Sequence, residues 1–179
     1  KENGSTIELR GMVEDPTGKN PPTAMHVVMK KDDQNVLRDM DDPRANMILY
    51  SGHSQLGGVV DGALAASPKT MAGTKLVQLF NCRGKQNSGE FLAKYPGVHL
   101  TNTFSSAYGS DDKQVLDATL KTIAARADYS DVKKRMDGST MIQPESTYML
   151  PDDTRTLATR HDYRHRVLAL TPPGPARSF

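Results

Sequence analysis

Two side chains in this sequence could do covalent chemistry together. Cys82 is the single cysteine of the chain, and His53 precedes it by 29 positions, 53 to 82. A lone cysteine is usually buried filler, and a lone histidine usually packs or faces water. The settings of these two change that reading. His53 follows the apolar run Asn46–Ser51 (NMILYS) and Gly52, and Cys82 follows the apolar run Lys75–Phe80 (KLVQLF) and Asn81. An imidazole beside a thiol can take its proton, generate the nucleophilic thiolate and protonate a leaving amine. Nearby glycines let backbone N–H groups approach a substrate carbonyl and stabilise its developing oxyanion.

The elements that must position this pair follow from the apolar pattern. Both runs are continuous rather than alternating, the mark of strands covered on both faces. Val59–Ala66 reads as a weak helix between them. Ser88–Lys94 reads as a short amphipathic helix ended before Pro96-Gly97, and Val98–Thr103 (VHLTNT) as a further strand. The longest helix signal is Asp111–Arg126, where Val115, Leu116, Leu120 and Ile123 share a face. Tyr129–Met136 reads as a shorter continuation, and Thr140–Leu150 holds a last strand. Ahead of the site, Ile7–Val13 and Ala24–Met29 read as strands, and Asp32–Met40 as a helix stopped at Asp41-Asp42-Pro43. Strands alternating with helices imply an α/β fold, its sheet mostly parallel with helices on both faces. Sites in such sheets lie beyond the carboxyl ends of the strands, where both Gly52-His53 and Asn81-Cys82 fall. Neighbouring strands are about 5 Å apart, so adjacent strand ends can cooperate.

These two segments carry a resemblance. Met47-Ile-Leu-Tyr-Ser-Gly-His-Ser-Gln-Leu-Gly-Gly-Val-Val-Asp-Gly62 resembles the histidine strand and loop of caspase-like cysteine peptidases, and Lys75-Leu-Val-Gln-Leu-Phe-Asn-Cys-Arg-Gly84 resembles their cysteine strand. That group holds caspases, paracaspases, metacaspases, gingipains, separases and clostripain-like enzymes. Cys82-Arg83-Gly84 matches the second half of the caspase signature Q-A-C-[RQG]-G. The resemblance covers roughly Thr23 to Met136 and implies a three-layer caspase-like sandwich. It makes Cys82 the nucleophile and His53 the general acid/base of a dyad, with the backbone N–H groups of Ser54 and Cys82 forming the oxyanion hole. It places a substrate-binding wall at Phe80 and along the strand after the cysteine, around Thr103-Phe104-Ser105-Ser106-Ala107-Tyr108. It implies a polypeptide substrate, an acyl-thioester intermediate, no cofactor and no metal. Activation would come by proteolytic processing, or through another chain or domain of the same precursor. Phe80 stands where caspases have the Gln that helps bind an acidic P1 residue, so the resemblance does not imply cleavage after Asp. Ser54 stands where the family usually has Gly. The gap between His and Cys is shorter than the caspase value of about 50, which points toward the gingipain- or clostripain-like branches. Ile7–Val13 would supply, in shortened form, a strand that such domains carry ahead of Thr23.

Composition bounds the rest. The chain has 179 residues and a formal net charge of +2, enough for one domain with a real core. The first 150 residues balance eighteen charges of each sign, and the small excess lies in 151–179, with five Arg against three Asp. That balance argues against a dedicated nucleic-acid binder. One cysteine permits no internal disulfide and no zinc cage built on thiolates. No apolar run reaches the roughly 20 residues of a membrane span, and no secretory signal is read. The expectation is a soluble protein, cytoplasmic rather than secreted. Residues 1–150 read as the catalytic domain, lacking part of the family's N-terminal portion, and 151–179 as a basic, partly irregular tail. The first residue, Lys1, is expected to mark a processed product or a fragment.

Other features have plainer readings. His161 and His165 stand at i, i+4 spacing, but Asp162 replaces the Glu of a metalloprotease motif and no third ligand is evident. The segment reads as a solvated basic helix. Asp111-Asp112 could attract a basic P1 residue, but an acidic first turn is routine at a helix N-terminus. No phosphate-binding glycine motif occurs. Three readings remain: a caspase-like cysteine endopeptidase, a non-catalytic caspase-like interaction module or subunit of a larger assembly, and a flavodoxin-like or other doubly wound α/β binding domain, which would leave the His–Cys coincidence to chance. The intact His53/Cys82 pair favours the first.

Overall fold

The structure, a computed structural model, describes residues 2–3, 6–30, 35–53, 58–104, 109–136 and 148–151. At its centre is a mixed four-stranded sheet of β4 (Met47–Ser51), β5 (Leu76–Phe80), β6 (His99–Thr103) and β7 (Tyr148–Met149), in that order. The first three strands run parallel, and the short β7 closes the sheet antiparallel to β6. All five residues of β5 are buried, as a strand in the middle of a parallel sheet requires.

Residues alternate along each strand, so the two faces of the sheet build two cores. On one face Ile48, Tyr50, Val77, Leu79 and Leu100 pack with Val60, Ala63 and Leu64 of α1 (Gly58–Ala66), Phe91 of α2 (Ser88–Lys94), and Tyr95. On the other, Phe80 and Tyr148 pack with Val115 and Ala118 of α3 (Gly109–Ala124) and Val132 and Met136 of α4 (Ser130–Met136). The result is an α/β arrangement with helices against both faces of a mostly parallel sheet. Full burial of one aliphatic or aromatic side chain stabilises by about 1.5–3 kcal/mol, so these two clusters dominate what holds the fold.

Helix ends follow local chemistry. α2 stops before Pro96, with the Tyr95 N–H still donating to the Phe91 carbonyl. The Lys94 ammonium, on the last residue of α2, donates to the Leu64 and Ser67 carbonyls at 2.6 and 3.0 Å, satisfying acceptors that the end of α1 leaves free. Lys75, 1% exposed, buries its ammonium against the Asp42 carbonyl (2.7 Å) and the Ala45 carbonyl. That bond fastens the loop entering β4 to the start of β5.

The N-terminal strands depart from expectation. β2 (Thr6–Val13) does not extend the central sheet. It pairs antiparallel with β3 (Thr23–Lys30), and β1 (Glu2–Asn3) adds a short third strand to this separate ribbon. The connecting turn is built on Asp15, whose carboxylate accepts from the backbone N–H groups of Thr17, Lys19 and Asn20 and from the Thr17 hydroxyl. Those donors hold its carboxyl well below the usual range. The Asn20 side chain also donates to the Ala125 carbonyl, tying the ribbon's turn to the residue after α3. Leu9 and Val27 face each other across the ribbon at 52% and 38% exposure, with Met12 at 62%. Within the expected helix Asp32–Met40, residues 32–34 lie outside the described set, and a 3₁₀ turn at Arg38–Asp41 closes the segment. Among the described residues no helix is long and apolar enough to cross a membrane.

Candidate active site at one edge of the sheet

β4 and β5 pair in parallel from Met47 opposite Leu76 to Ser51 opposite Phe80. The Gly52 N–H then donates to the Phe80 carbonyl at 3.1 Å, carrying the pairing one residue further. Two positions beyond the Ser51–Phe80 pair the chain reaches His53 on one strand and Cys82 on the other. The pair predicted from sequence thus leaves neighbouring strands at the same level of the same edge. His53 is exposed and Cys82 half-buried, an exposure compatible with a thiol that reacts with a solute.

The two turns are built differently. Below His53, the Tyr50 hydroxyl donates to the His53 carbonyl at 2.9 Å. The Tyr50 ring occupies the space beneath Gly52, where an added Cβ would lie 2.7 Å from its hydroxyl oxygen. Gly52 is therefore required by close approach. Ser54, expected to contribute an oxyanion N–H, lies outside the described residues.

Around Cys82 the backbone is fastened to β6 by a buried polar network. Asn81, Asn102 and Thr103 are all 0% exposed. The Thr103 hydroxyl accepts from the Gly84 N–H at 3.0 Å and donates to the Asn81 carbonyl. The Asn102 amide donates to the Gly84 carbonyl at 2.6 Å, and its oxygen accepts from the Thr103 N–H at 2.9 Å. Between these anchors Arg83 adopts a left-handed conformation, φ 58°, which costs a non-glycine residue about 1 kcal/mol or more. Gly84 has no room for a side chain, since a Cβ there would fall 1.6 Å from Asn102 Oδ1. A 3₁₀ turn, Gly84–Asn87, leads from this network into α2, and the Asn87 amide donates to Asp61 of α1. At the rim, the Lys85 ammonium lies 3.7 Å from the centre of the exposed Phe104 ring, a cation–π contact between the cysteine turn and the end of β6.

Asp112 ties the third element to the same edge. Its carboxylate accepts from Ser51 Oγ at 2.8 Å and from the Tyr148 hydroxyl at 2.5 Å, linking α3 to the ends of β4 and β7. Burial pushes its carboxyl up, opposed by these two hydrogen bonds. Asp111 beside it is 3% exposed. The acidic start of α3 is thus built into the sheet edge as well as serving a helix N-terminus.

Of the expected substrate-binding positions, Ser105, Ser106 and Tyr108 lie outside the described residues. Phe80 is corrected: at 1% exposure it packs edge-on against Tyr148, ring centres 5.5 Å apart, inside the core shared with α3. With its ring enclosed by α3 and β7, it supports the edge from within the core rather than presenting a surface to a substrate. The His161/His165 pair and the basic tail fall outside the described set. Among the described residues no group of three His, Cys, Asp or Glu side chains could hold a metal ion.

Asn102 was missed from sequence, and Thr103, expected in the substrate-binding wall, is instead 0% exposed with its hydroxyl spent on the cysteine turn. The signal was present in their strand. Thr101-Asn102-Thr103 ends an element whose interior position demands burial, and buried polar residues usually find hydrogen-bond partners, as Asn102 and Thr103 do here. Neither a protein-family model, nor a curated protein, nor a solved structure matches the chain.

Proposed function

We propose that this chain is a cysteine endopeptidase with a caspase-like fold, acting through a His53/Cys82 dyad on a polypeptide substrate. In the reaction, His53 takes the Cys82 thiol proton and the sulfur attacks the scissile carbonyl carbon. The C–N bond breaks as that proton passes to the leaving amine, leaving an acyl-thioester. Water then hydrolyses the thioester, releasing the acid and restoring the thiol. The observation that carries this reading is the parallel register, Ser51 opposite Phe80 with the Gly52 N–H on the Phe80 carbonyl, from which both residues are reached in two steps. A tight, buried network around a half-exposed thiol supports it further, because a filler cysteine requires no such fixing.

The test is alkylation followed by mass spectrometry. Iodoacetamide at neutral pH is expected to modify Cys82 rapidly in the folded chain, and His53→Ala to slow that modification about tenfold or more and to abolish cleavage of peptides carrying Arg, Lys, Asp or Asn at P1. A Cys82 that reacts only after unfolding overturns the proposal.

A second reading, a non-catalytic subunit of a larger assembly, draws on the apolar side chains that the N-terminal ribbon leaves exposed, Leu9, Met12, Val27 and Val28. It expects Cys82 reactivity to be indifferent to His53.

A further inference from the structure

We propose that Thr103 is a positioning residue for the oxyanion hole: its hydroxyl fixes the direction in which the Cys82 N–H points. The inference rests on the peptidase reading above and adds a residue that no part of the dyad requires.

The argument starts from the peptide plane. The Asn81 carbonyl and the Cys82 N–H belong to one planar trans unit, in which C=O and N–H point in opposite directions. Whatever fixes the Asn81 oxygen therefore fixes the Cys82 N–H as well. Thr103 does this with no freedom to spare. One lone pair of its hydroxyl accepts the Gly84 N–H, so the single hydroxyl proton is directed to the Asn81 oxygen. Both partners are buried, and rotating the Asn81–Cys82 unit would strand a carbonyl where no water reaches. Thr103 is itself held, through its N–H on Asn102 Oδ1 and through its pairing with Tyr148 in β7. A donor aimed before the substrate arrives needs no reorganisation as charge develops, which is where such groups gain their effect.

Two reactions of the same sulfur separate positioning from loosening. Peptide hydrolysis passes through an oxyanion, whereas alkylation by iodoacetamide is a displacement at a saturated carbon and forms none. Thr103→Val in the full chain is expected to lower kcat for peptide cleavage by about 10²-fold while changing the alkylation rate by less than about threefold, and Thr103→Ser is expected to restore cleavage. If the Val variant does not fold, Thr103→Ala is measured by the same two reactions. Cleavage unchanged in the hydroxyl-less variant overturns the role of Thr103 and leaves the peptidase reading standing. Equal loss of both reactions also overturns it, since that is what general disorder of the turn produces. A wild-type chain that alkylates rapidly yet cleaves no peptide overturns both readings.

Discussion

The two turns at the candidate site leave the same sheet edge at the same level, yet among the described residues one is anchored by a buried polar network and the other is exposed. The cysteine turn is anchored by Thr103 and Asn102, with each bond made between buried groups. The histidine turn is exposed and rests on two described contacts, the Gly52 N–H on Phe80 and the Tyr50 hydroxyl on the His53 carbonyl. The difference matches what each residue would have to do. A nucleophile and an oxyanion donor must be aimed to within fractions of an ångström. An imidazole that shuttles a proton between thiol and leaving amine must adjust its position during the reaction.

The sharpest way to break this contrast is to add one methyl group to each turn. Gly84→Ala forces a Cβ to within 1.6 Å of Asn102 Oδ1, which is itself engaged by the Thr103 N–H. Destabilisation of about 2–3 kcal/mol is expected, read as a lowered urea midpoint, with disturbed Cys82 alkylation. Gly52→Ala meets the Tyr50 hydroxyl at 2.7 Å and ring carbon at 2.8 Å, a milder overlap than at Gly84, and about 1–2 kcal/mol is expected. Equal costs at the two sites would contradict the contrast.

A smaller effect is expected from Tyr50→Phe, which removes the hydrogen bond to the His53 carbonyl and costs about 0.5–1.5 kcal/mol. Because the same hydroxyl obstructs a side chain at position 52, combining Tyr50→Phe with Gly52→Ala should cost less than the sum of the two. A double-mutant cycle measures that coupling. Strict additivity would show that the tyrosine does not set the space beneath the turn.

The smallest effect is electrostatic. Burial raises the Asp112 carboxyl above its ordinary value. Between the ordinary value and the raised one, the folded chain binds more protons than the unfolded chain. The contribution of this residue to stability is therefore present at lower pH and lost as pH rises through that window. Asp112→Asn should remove that loss, so the variant gains stability relative to the wild type as pH climbs through the weakly acid range. Parallel urea midpoints for the two proteins across that range would refute it.

The central strands were legible to within a residue. An apolar run without alternation predicts burial on both faces; β5 in the sheet interior satisfies it, whereas β4 lies at the sheet edge and alternates, with Leu49 and Ser51 exposed. The limits of α2 were also legible, because Pro96 acts locally. Partnership was not. Nothing in Thr6–Val13 distinguishes a strand that joins the main sheet from one that folds back on Thr23–Lys30, since pairing is decided by chain segments far apart. Phe80 was misread for a related reason. The resemblance put it at a substrate-binding position, but its ring packs in the core shared with α3 and β7. Asn102 escaped notice, and Thr103 reads from sequence as part of a substrate-facing wall, because polar residues at a strand end ordinarily meet solvent or substrate, and here they meet the neighbouring turn. The His53/Cys82 placement was legible because it required only two strand ends and a parallel register.

The buried ammonium of Lys75 has a practical consequence. With its protons given to the carbonyls of Asp42 and Ala45, and almost no surface of its own, it is hidden from acylating reagents while the chain is folded. Burial also lowers its pKa, so once uncovered the amine regains its ordinary basicity. In an amine-footprinting experiment it is the lysine that stays silent until the loop before β4 parts from β5, making it a built-in reporter of that opening.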